Sequence, residues 1–370
     1  MLDLRKESAP DPKSGRSINT RNITDRQLIY PAPLKPKSRI AITAPSAGVP
    51  EALHPRLDLA IRNLLDQKFE VIEGGCLRYN DRYVSAPAEA RAEEMMGFLL
   101  DDSIDAIIPP WGGELAMEVL PLLDYNSICT AKPKWILGYS DISTLLCAIT
   151  MKCGWATAHG ANLLELIAAQ TDTLTSSTLN HLKLPAGSQF TQESSECYQE
   201  DNIDFGADPE LPLNLTQATE WKLLMGDTDS ASFEGRIFGG CLDIMINLVG
   251  SEYFDLTKLG DDYQGQKFVL YIENVELNPP SLARALYGLQ FRLPMELVSG
   301  VLIGRSTASN VDAAGLSEVD VIRSTLSNLL CPVLYDVDIG HKPPNMLLIN
   351  GCTATVEYSQ GRGTLIQTMN

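Results

Sequence analysis

From Ser38 onward, short β-branched and apolar runs alternate with longer stretches whose apolar positions recur at helical spacing. Arg39-Ile40-Ala41-Ile42-Thr43 predicts a strand, ended by Ala44-Pro45-Ser46. His54 to Gln67 predicts a helix, because Leu57, Ile61, Leu64 and Leu65 fall on one face. Phe69 to Ile72 predicts a second strand, stopped by Gly74-Gly75, and Ala88 to Leu100 a second helix. Ala106 to Ile108 and Trp135 to Leu137 predict two more strands, with helices expected over Glu114 to Leu123 and Asp141 to Cys153. Such alternation argues for βαβ units around a parallel sheet. In sheets of this kind ligands sit beyond the carboxyl ends of the strands, so the residues just after each strand matter most.

The pattern changes twice along the chain. Residues 1–37 are rich in Pro, Lys, Arg, Asn and Ser and predict a flexible or loosely docked tail. The parallel-sheet unit is expected over residues 38–181. Residues 182–231 are acidic and polar, with Glu193, Glu196, Glu200, Asp201, Asp204 and Asp208, and predict a linker or insertion with little regular structure. That is longer than most loops in compact domains, and long loops are often functional. A second, smaller α/β unit is expected over residues 232–370, with strands at Phe268 to Ile272, Gly300 to Ile303 and Pro332 to Tyr335. Two units also suit the size, since 370 residues exceed the span of one hydrophobic core.

Charge narrows the function classes. The net charge is −18, from 47 acidic and 29 basic residues, so the surface repels phosphate backbones and anionic headgroups. Neither a nucleic-acid nor a membrane partner is expected, and no apolar run is long enough to span a bilayer. The first residues lack the apolar centre of a secretory signal, so a cytoplasmic location is expected. The eight cysteines form no C-x-x-C pair, and several sit in apolar runs such as Leu145-Leu146-Cys147. They read as small hydrophobes in a reducing compartment, with neither a disulfide framework nor a zinc site expected.

The sharpest chemical signal is Gly138-Tyr139-Ser140-Asp141-Ile142, where a buried strand runs into Gly-x-Ser and a helix begins at once. A tight turn there would lift the Ser140 hydroxyl above the sheet, as in a nucleophile elbow. The bland alternative is that Ser140 caps the helix. Pro109-Pro110-Trp111-Gly112-Gly113-Glu114 is a second strand end, where paired glycines let backbone approach a ligand. If Ser140 is a nucleophile, the Gly113 and Asp141 amides are the natural oxyanion donors, with Gly112 and Glu114 beside the substrate.

Only four histidines could serve as base: His54, His159, His181 and His341. His54 and His181 lie in polar stretches and read as surface residues. His159 ends a strand, either lining the pocket or serving a structural role. His341, in Ile339-Gly340-His341-Lys342-Pro343-Pro344, stands on a loop after a strand, where catalytic groups are often mounted. An orienting carboxylate comes from Tyr271-Ile272-Glu273-Asn274-Val275-Glu276; Glu273 directly follows the apolar run, and Glu276 lies further into the loop. No G-x-G-x-x-G and no G-x-x-x-x-G-K-[ST] is present, which leaves a nucleotide-dependent reaction without a motif. A non-catalytic two-lobed binding protein remains the other alternative.

In order along the chain, these motifs resemble the serine peptidases that comprise the LD-carboxypeptidases and microcin C self-immunity proteins. The resemblance runs from Ile40 to Val356 through Ala44-Pro45-Ser46, Gly112-Gly113, Lys134 to Ile142, His159-Gly160, Gly239-Gly240, Ile272-Glu273 and Gly340-His341. It departs at Cys241, where the family often has asparagine, and at Ala161, where it often has proline. The resemblance implies a flavodoxin-like parallel sheet followed by a smaller α/β domain, a Ser140–Glu273–His341 triad, no cofactor, and a homodimer. It implies as substrate a small peptide or an aminoacyl-nucleotide conjugate, and the acidic insertion with Trp221 is more like the immunity branch. Arg305, at another strand end, is a candidate for an anionic substrate group or a structural ion pair.

Overall fold

The computed structural model describes residues 28–201, 203–224, 229–263, 265–308 and 311–370. Strands β1 (Arg39–Ile42), β2 (Glu70–Glu73), β3 (Ala106–Ile107), β4 (Trp135–Gly138) and β5 (Thr157–His159) form a parallel sheet in the order 2-1-3-4-5. This is the flavodoxin-type order, and its switch point lies between β1 and β3. Ile40 and Ile42 point into one apolar cluster, shared with Leu57, Ile61 and Leu64 of the helix His54–Asp66. Ala41 points into the other, shared with Met95 and Leu99 of Ala88–Leu100 and Leu145 of Ser143–Cys153. The two-residue period of a strand thus places a helix layer on each face.

The chain continues through β6 (Gln189–Glu193), the short pair β7 (Cys197–Tyr198) and β8 (Gln217–Ala218), β9 (Lys222–Leu223), β10 (Ser230–Cys241), β11 (Phe268–Glu273), β12 (Val298–Gly304) and β13 (Val333–Val337). It ends with β14 (Leu348–Asn350), β15 (Thr353–Ser359) and β16 (Arg362–Thr368). Eight of these form the second sheet, in the order β6-β16-β15-β10-β11-β12-β13-β9, with β10 to β13 parallel. Strand β14 leaves that unit and pairs antiparallel with β5, Leu348 opposite His159, completing the first sheet.

Four expectations change. Of the expected tail, residues 1–27 lie outside the described residues, but residues 28–37 are docked. Leu28 and Leu34 are buried, the Ile29 N–H donates to Gly154 O (2.8 Å), and the Leu34 N–H donates to Leu182 O (3.0 Å). The acidic stretch is also more ordered than a linker: β6 is an edge strand of the second sheet, and Trp221 is fully buried. Glu114 to Leu123 is no continuous helix but two short turns, Ala116–Glu118 and Leu120–Leu122. Pro121 disfavours a helical residue before it, and the Leu115 and Ala116 N–H groups are taken by side chains. Finally, Cys129 and Cys153 are paired as a disulfide with Cα atoms 4.6 Å apart, joining a helix end to the short helix Tyr125–Ile128.

Candidate active site

Ser140 stands where β4 breaks into a helical turn, with φ of +62°. A non-glycine residue in that region costs roughly 1–3 kcal/mol and persists only where its surroundings hold it. The cap position of that turn falls on Tyr139, not on Ser140. Its Oγ lies 2.9 Å from His341 Nε2, and His341 Nδ1 lies 2.8 Å from Glu273 Oε2. Glu273, the last residue of β11, is fully buried. Because ionised Glu273 can only accept, it takes the Nδ1–H and leaves Nε2 as acceptor for the serine hydroxyl.

Electrostatics fit this tautomer. Burial works against a charged His341, but the Glu273 charge and hydrogen bond, with Glu165 and Asp243 further off, outweigh it and raise the imidazole pKa. Burial likewise opposes ionised Glu273, and His341 overcomes it, holding the carboxyl below its ordinary range. The Tyr139 ring meets His341 edge-on at 4.9 Å and limits its tilt.

The loop after β3 closes against the serine. A Cβ on Gly112 would come 2.8 Å from Ser140 Oγ and 2.9 Å from Asp141 N. Gly113 follows with φ of +142°. The Asp141 amide therefore opens on the space beside the hydroxyl, in the first turn of a helical segment, where N–H groups have no helical partner. Its carboxylate, fully buried, does something the sequence did not suggest. It accepts from Ser46 Oγ (2.5 Å), the Ala116 N–H (2.7 Å) and Thr144 Oγ1 (3.3 Å). The loops after β1 and β3 are thereby tied to the serine turn at the switch point. The position of Ser46, just past β1, was the available signal.

Glu114 is exposed near the nucleophile, its pKa raised by partial burial and by Glu276, Asp141 and Asp243. Glu276 is exposed too, its N–H donating to Asp243 Oδ1 at 2.9 Å. The rim is therefore acidic. His159 is buried behind the pair, 5.0 Å from the Tyr271 ring, and burial lowers its pKa to about 4.

Arg305 is 3% exposed and committed elsewhere. It donates to Asp338 Oδ1 (2.7 Å), Thr219 Oγ1 (3.2 Å) and Lys342 O (3.4 Å), and lines a separate cavity of about 400 Å³. The structural ion pair thus accounts for it. Asp338 also accepts from Trp221 Nε1 (2.8 Å) and Ser195 Oγ (2.5 Å), which joins the acidic stretch to the chain three residues before His341. A cavity of about 500 Å³ opens at His341, walled by Trp111, Tyr139 and Glu165 and, from the acidic stretch, by Gln199, Phe205 and Leu213. Among the described residues no group of three His, Cys, Asp or Glu side chains is placed to hold a metal ion, and no helix is long and apolar enough to cross a membrane.

A doubly wound domain and a second sheet domain, with a serine, a histidine and a glutamate meeting between them, define a two-domain α/β protein of hydrolase type. Residues 40–160 match the LD-carboxypeptidase N-terminal domain and residues 234–356 the C-terminal domain, so the chain belongs to the LD-carboxypeptidase family of peptidases. A relative from Vibrio cholerae is 27% identical over 344 residues, covering 90% of this chain and 96% of its own. The microcin C7 self-immunity protein MccF of Escherichia coli is 24% identical over 331 residues, covering 88% and 92%. Among solved structures, an MccF-like protein from Bacillus anthracis superposes with a TM-score of 0.78 at 21% identity, covering 92% of this chain and 100% of the other. MccF in complex with glutamyl sulfamoyl guanosine superposes with a TM-score of 0.76 at 23% identity, covering 90% and 97%.

Proposed function

We propose that this protein is a serine carboxypeptidase or amidase that cleaves the amide of an aminoacyl- or peptidyl-nucleotide conjugate. The observation that carries the serine chemistry is the continuous contact of Ser140 Oγ, His341 and buried Glu273 at 2.9 and 2.8 Å, with Ser140 held at positive φ. His341 takes the Ser140 proton as the hydroxyl attacks the amide carbonyl, and Glu273 stabilises the imidazolium. The Gly113 and Asp141 amides receive the oxyanion, each worth about 2.7–4 kcal/mol in the transition state. His341 then protonates the leaving amine, and water releases the acyl group from Ser140.

The substrate assignment draws on the walls of the cavity and on the relatives. Trp111 and Phe205 offer flat faces suited to a base, and Phe205 comes from the acidic stretch. The rim of Glu114, Glu276 and Asp243 opposes a free terminal carboxylate and favours an aminoacyl ammonium. MccF, a relative, has been crystallised with glutamyl sulfamoyl guanosine and aspartyl sulfamoyl adenosine. The test is to incubate the protein and its Ser140→Ala variant with aspartyl sulfamoyl adenosine and with a murein tetrapeptide, reading products by mass spectrometry. Cleavage of the conjugate by the parent alone is expected. Release of terminal D-alanine alone would instead make it a murein LD-carboxypeptidase, and activity of Ser140→Ala at the parent rate would refute serine catalysis.

A further inference from the structure

The proposed chemistry leaves His159 without a task, although it stands directly behind the reacting groups. It ends β5, with its backbone held between Gly138 of β4 and Leu348 of β14. Its ring packs edge-on against Tyr271 at 5.0 Å and lies 6.0 Å from Tyr139, whose ring in turn touches His341. Tyr271 and Glu273 are two residues apart on β11, so their side chains leave the same face of the strand. His159, Tyr271, Glu273 and His341 therefore share one closed region between the two sheets.

Polar groups in that region are unevenly served. The Tyr271 hydroxyl is bonded to Asn350 and the Tyr139 hydroxyl to Glu165, each at 2.9 Å. Both ring nitrogens of His159 lack a hydrogen-bond partner among the described residues, and so does Glu273 Oε1. The Cys241 thiol, in register with Glu273, interacts with its carboxylate as well as with Asp243 Oδ2, 3.7 Å from the sulfur, but a thiol is only a weak donor. An unpaired buried polar group costs roughly 1–3 kcal/mol, a cost that a phenylalanine filling the same space would avoid.

We propose that His159 is a positioning residue of the site: as a neutral imidazole it donates a ring N–H to Glu273 Oε1, by a small ring movement or through one buried water, and so fixes the carboxylate against His341. This rests on the reading of Ser140, Glu273 and His341 as the reacting set. No proton leaves His159. Burial keeps its ring neutral at neutral pH, with the Glu273 charge only partly opposing that effect, so it adds a donor beside His341 without adding a competing cation. Partners that hold metal-binding histidines from behind typically contribute about 10–100-fold to activity, and the same scale is expected for a donor that holds this carboxylate.

The experiment compares parent, His159→Phe, His159→Gln and Cys241→Ala by thermal denaturation and by the rate at which a fluorophosphonate labels Ser140, a readout that needs no known substrate. Steady-state kinetics on aspartyl sulfamoyl adenosine follow. His159→Phe leaves the buried Glu273 Oε1 without its donor, so it should melt somewhat lower than the parent while staying folded, and be labelled about 10–100-fold more slowly, with kcat reduced and KM unchanged. His159→Gln, which restores an N–H, should recover part of the loss, and Cys241→Ala, which removes only a weak thiol donor, should lose far less than His159→Phe. A folded His159→Phe labelled at the parent rate overturns the proposal, as does a loss seen in Cys241→Ala alone. Should His159→Phe fold poorly, His159→Leu carries the same test. If the parent Ser140 is not labelled at all, it is the serine reading that fails.

Discussion

Gly112 and Ser140 are packed so closely that a methyl group on the first would lie 2.7 Å from the Cβ of the second. The space kept open there is where an attacked carbonyl would enter. Gly112→Ala should therefore cost about 1–3 kcal/mol, because Ser140 and the Asp141 backbone must shift to admit the methyl, and lower kcat/KM by about 100-fold or more in the folded protein, as expected when oxyanion geometry is lost. Steady-state kinetics beside a thermal melt checks it; parent-like kcat/KM would remove the loop from the mechanism.

Ser140 is held at positive φ, where a non-glycine residue is strained. Ser140→Ala should abolish activity, by about 10⁴-fold or more, with the fold retained. Ser140→Gly should be as inactive but more stable than Ser140→Ala by about 1 kcal/mol, because glycine adopts this conformation freely. Chemical denaturation of the two variants side by side measures the difference.

Glu273 and Glu276 are three residues apart, yet one is fully buried on His341 and the other exposed. Glu273→Gln should cost about 10³–10⁴-fold in kcat through the wrong imidazole tautomer, whereas Glu276→Gln should change it less than about threefold, in line with an exposed charge. The reverse order would transfer the orienting role to Glu276.

If His341 is the base, its raised pKa sets the acid limb of the activity profile. The base must be neutral to accept the serine proton, so kcat/KM should fall on acidification with an inflection above 6.5, the ordinary histidine value. In Glu273→Gln the supporting charge is gone and burial remains, so the residual activity should show its inflection shifted down. A pH–rate profile of both proteins decides the sign.

Asp338 and Arg305 form a buried ion pair, with side chains 0% and 4% exposed. Asp338→Ala strands the guanidinium and should destabilise the protein by roughly 3–5 kcal/mol. Trp221→Phe removes the indole N–H from Asp338 and also shrinks a fully buried ring, so it should cost about 2 kcal/mol or more. Because both act three residues from His341, thermal melts should be paired with kcat; an unchanged melt for Asp338→Ala would contradict the pairing.

What the chain discloses by itself depends on distance along it. Strands β1 to β4 and the helix Ala88–Leu100 were readable, because alternation and helical spacing are local. Ser140 was readable as a strand-end serine, though its φ was not. Glu273 and His341, 68 residues apart, stood out as strand-end residues and through the family resemblance, while their contact itself needed the second sheet. The turns at Ala116 to Leu122 were mistaken for a helix because their apolar spacing is helical, whereas their bonds close three-residue turns, Val119 N–H to Ala116 O and Leu122 N–H to Val119 O, with Pro121 between. For Arg305 the sequence left a ligand role and a structural ion pair both open, because its partner Asp338, 33 residues on, could not be identified from it. The Cys129–Cys153 pair, 24 residues apart, was hidden for the same reason.

Strand β14 crosses back from the second unit to lie on His159 and its neighbours, while residues 28–37 reach forward to Gly154 and Leu182. A nick in the exposed chain near residues 206–211 would therefore not release two independent halves. The first fragment would be left with the backbone edge of β5 bare, an invitation to pair with other chains, and the second would carry Leu348 and Ile349 with nothing to cover them. Two such fragments should stay together after cleavage, separate only under denaturant, and regain the serine–histidine contact only when refolded as a pair.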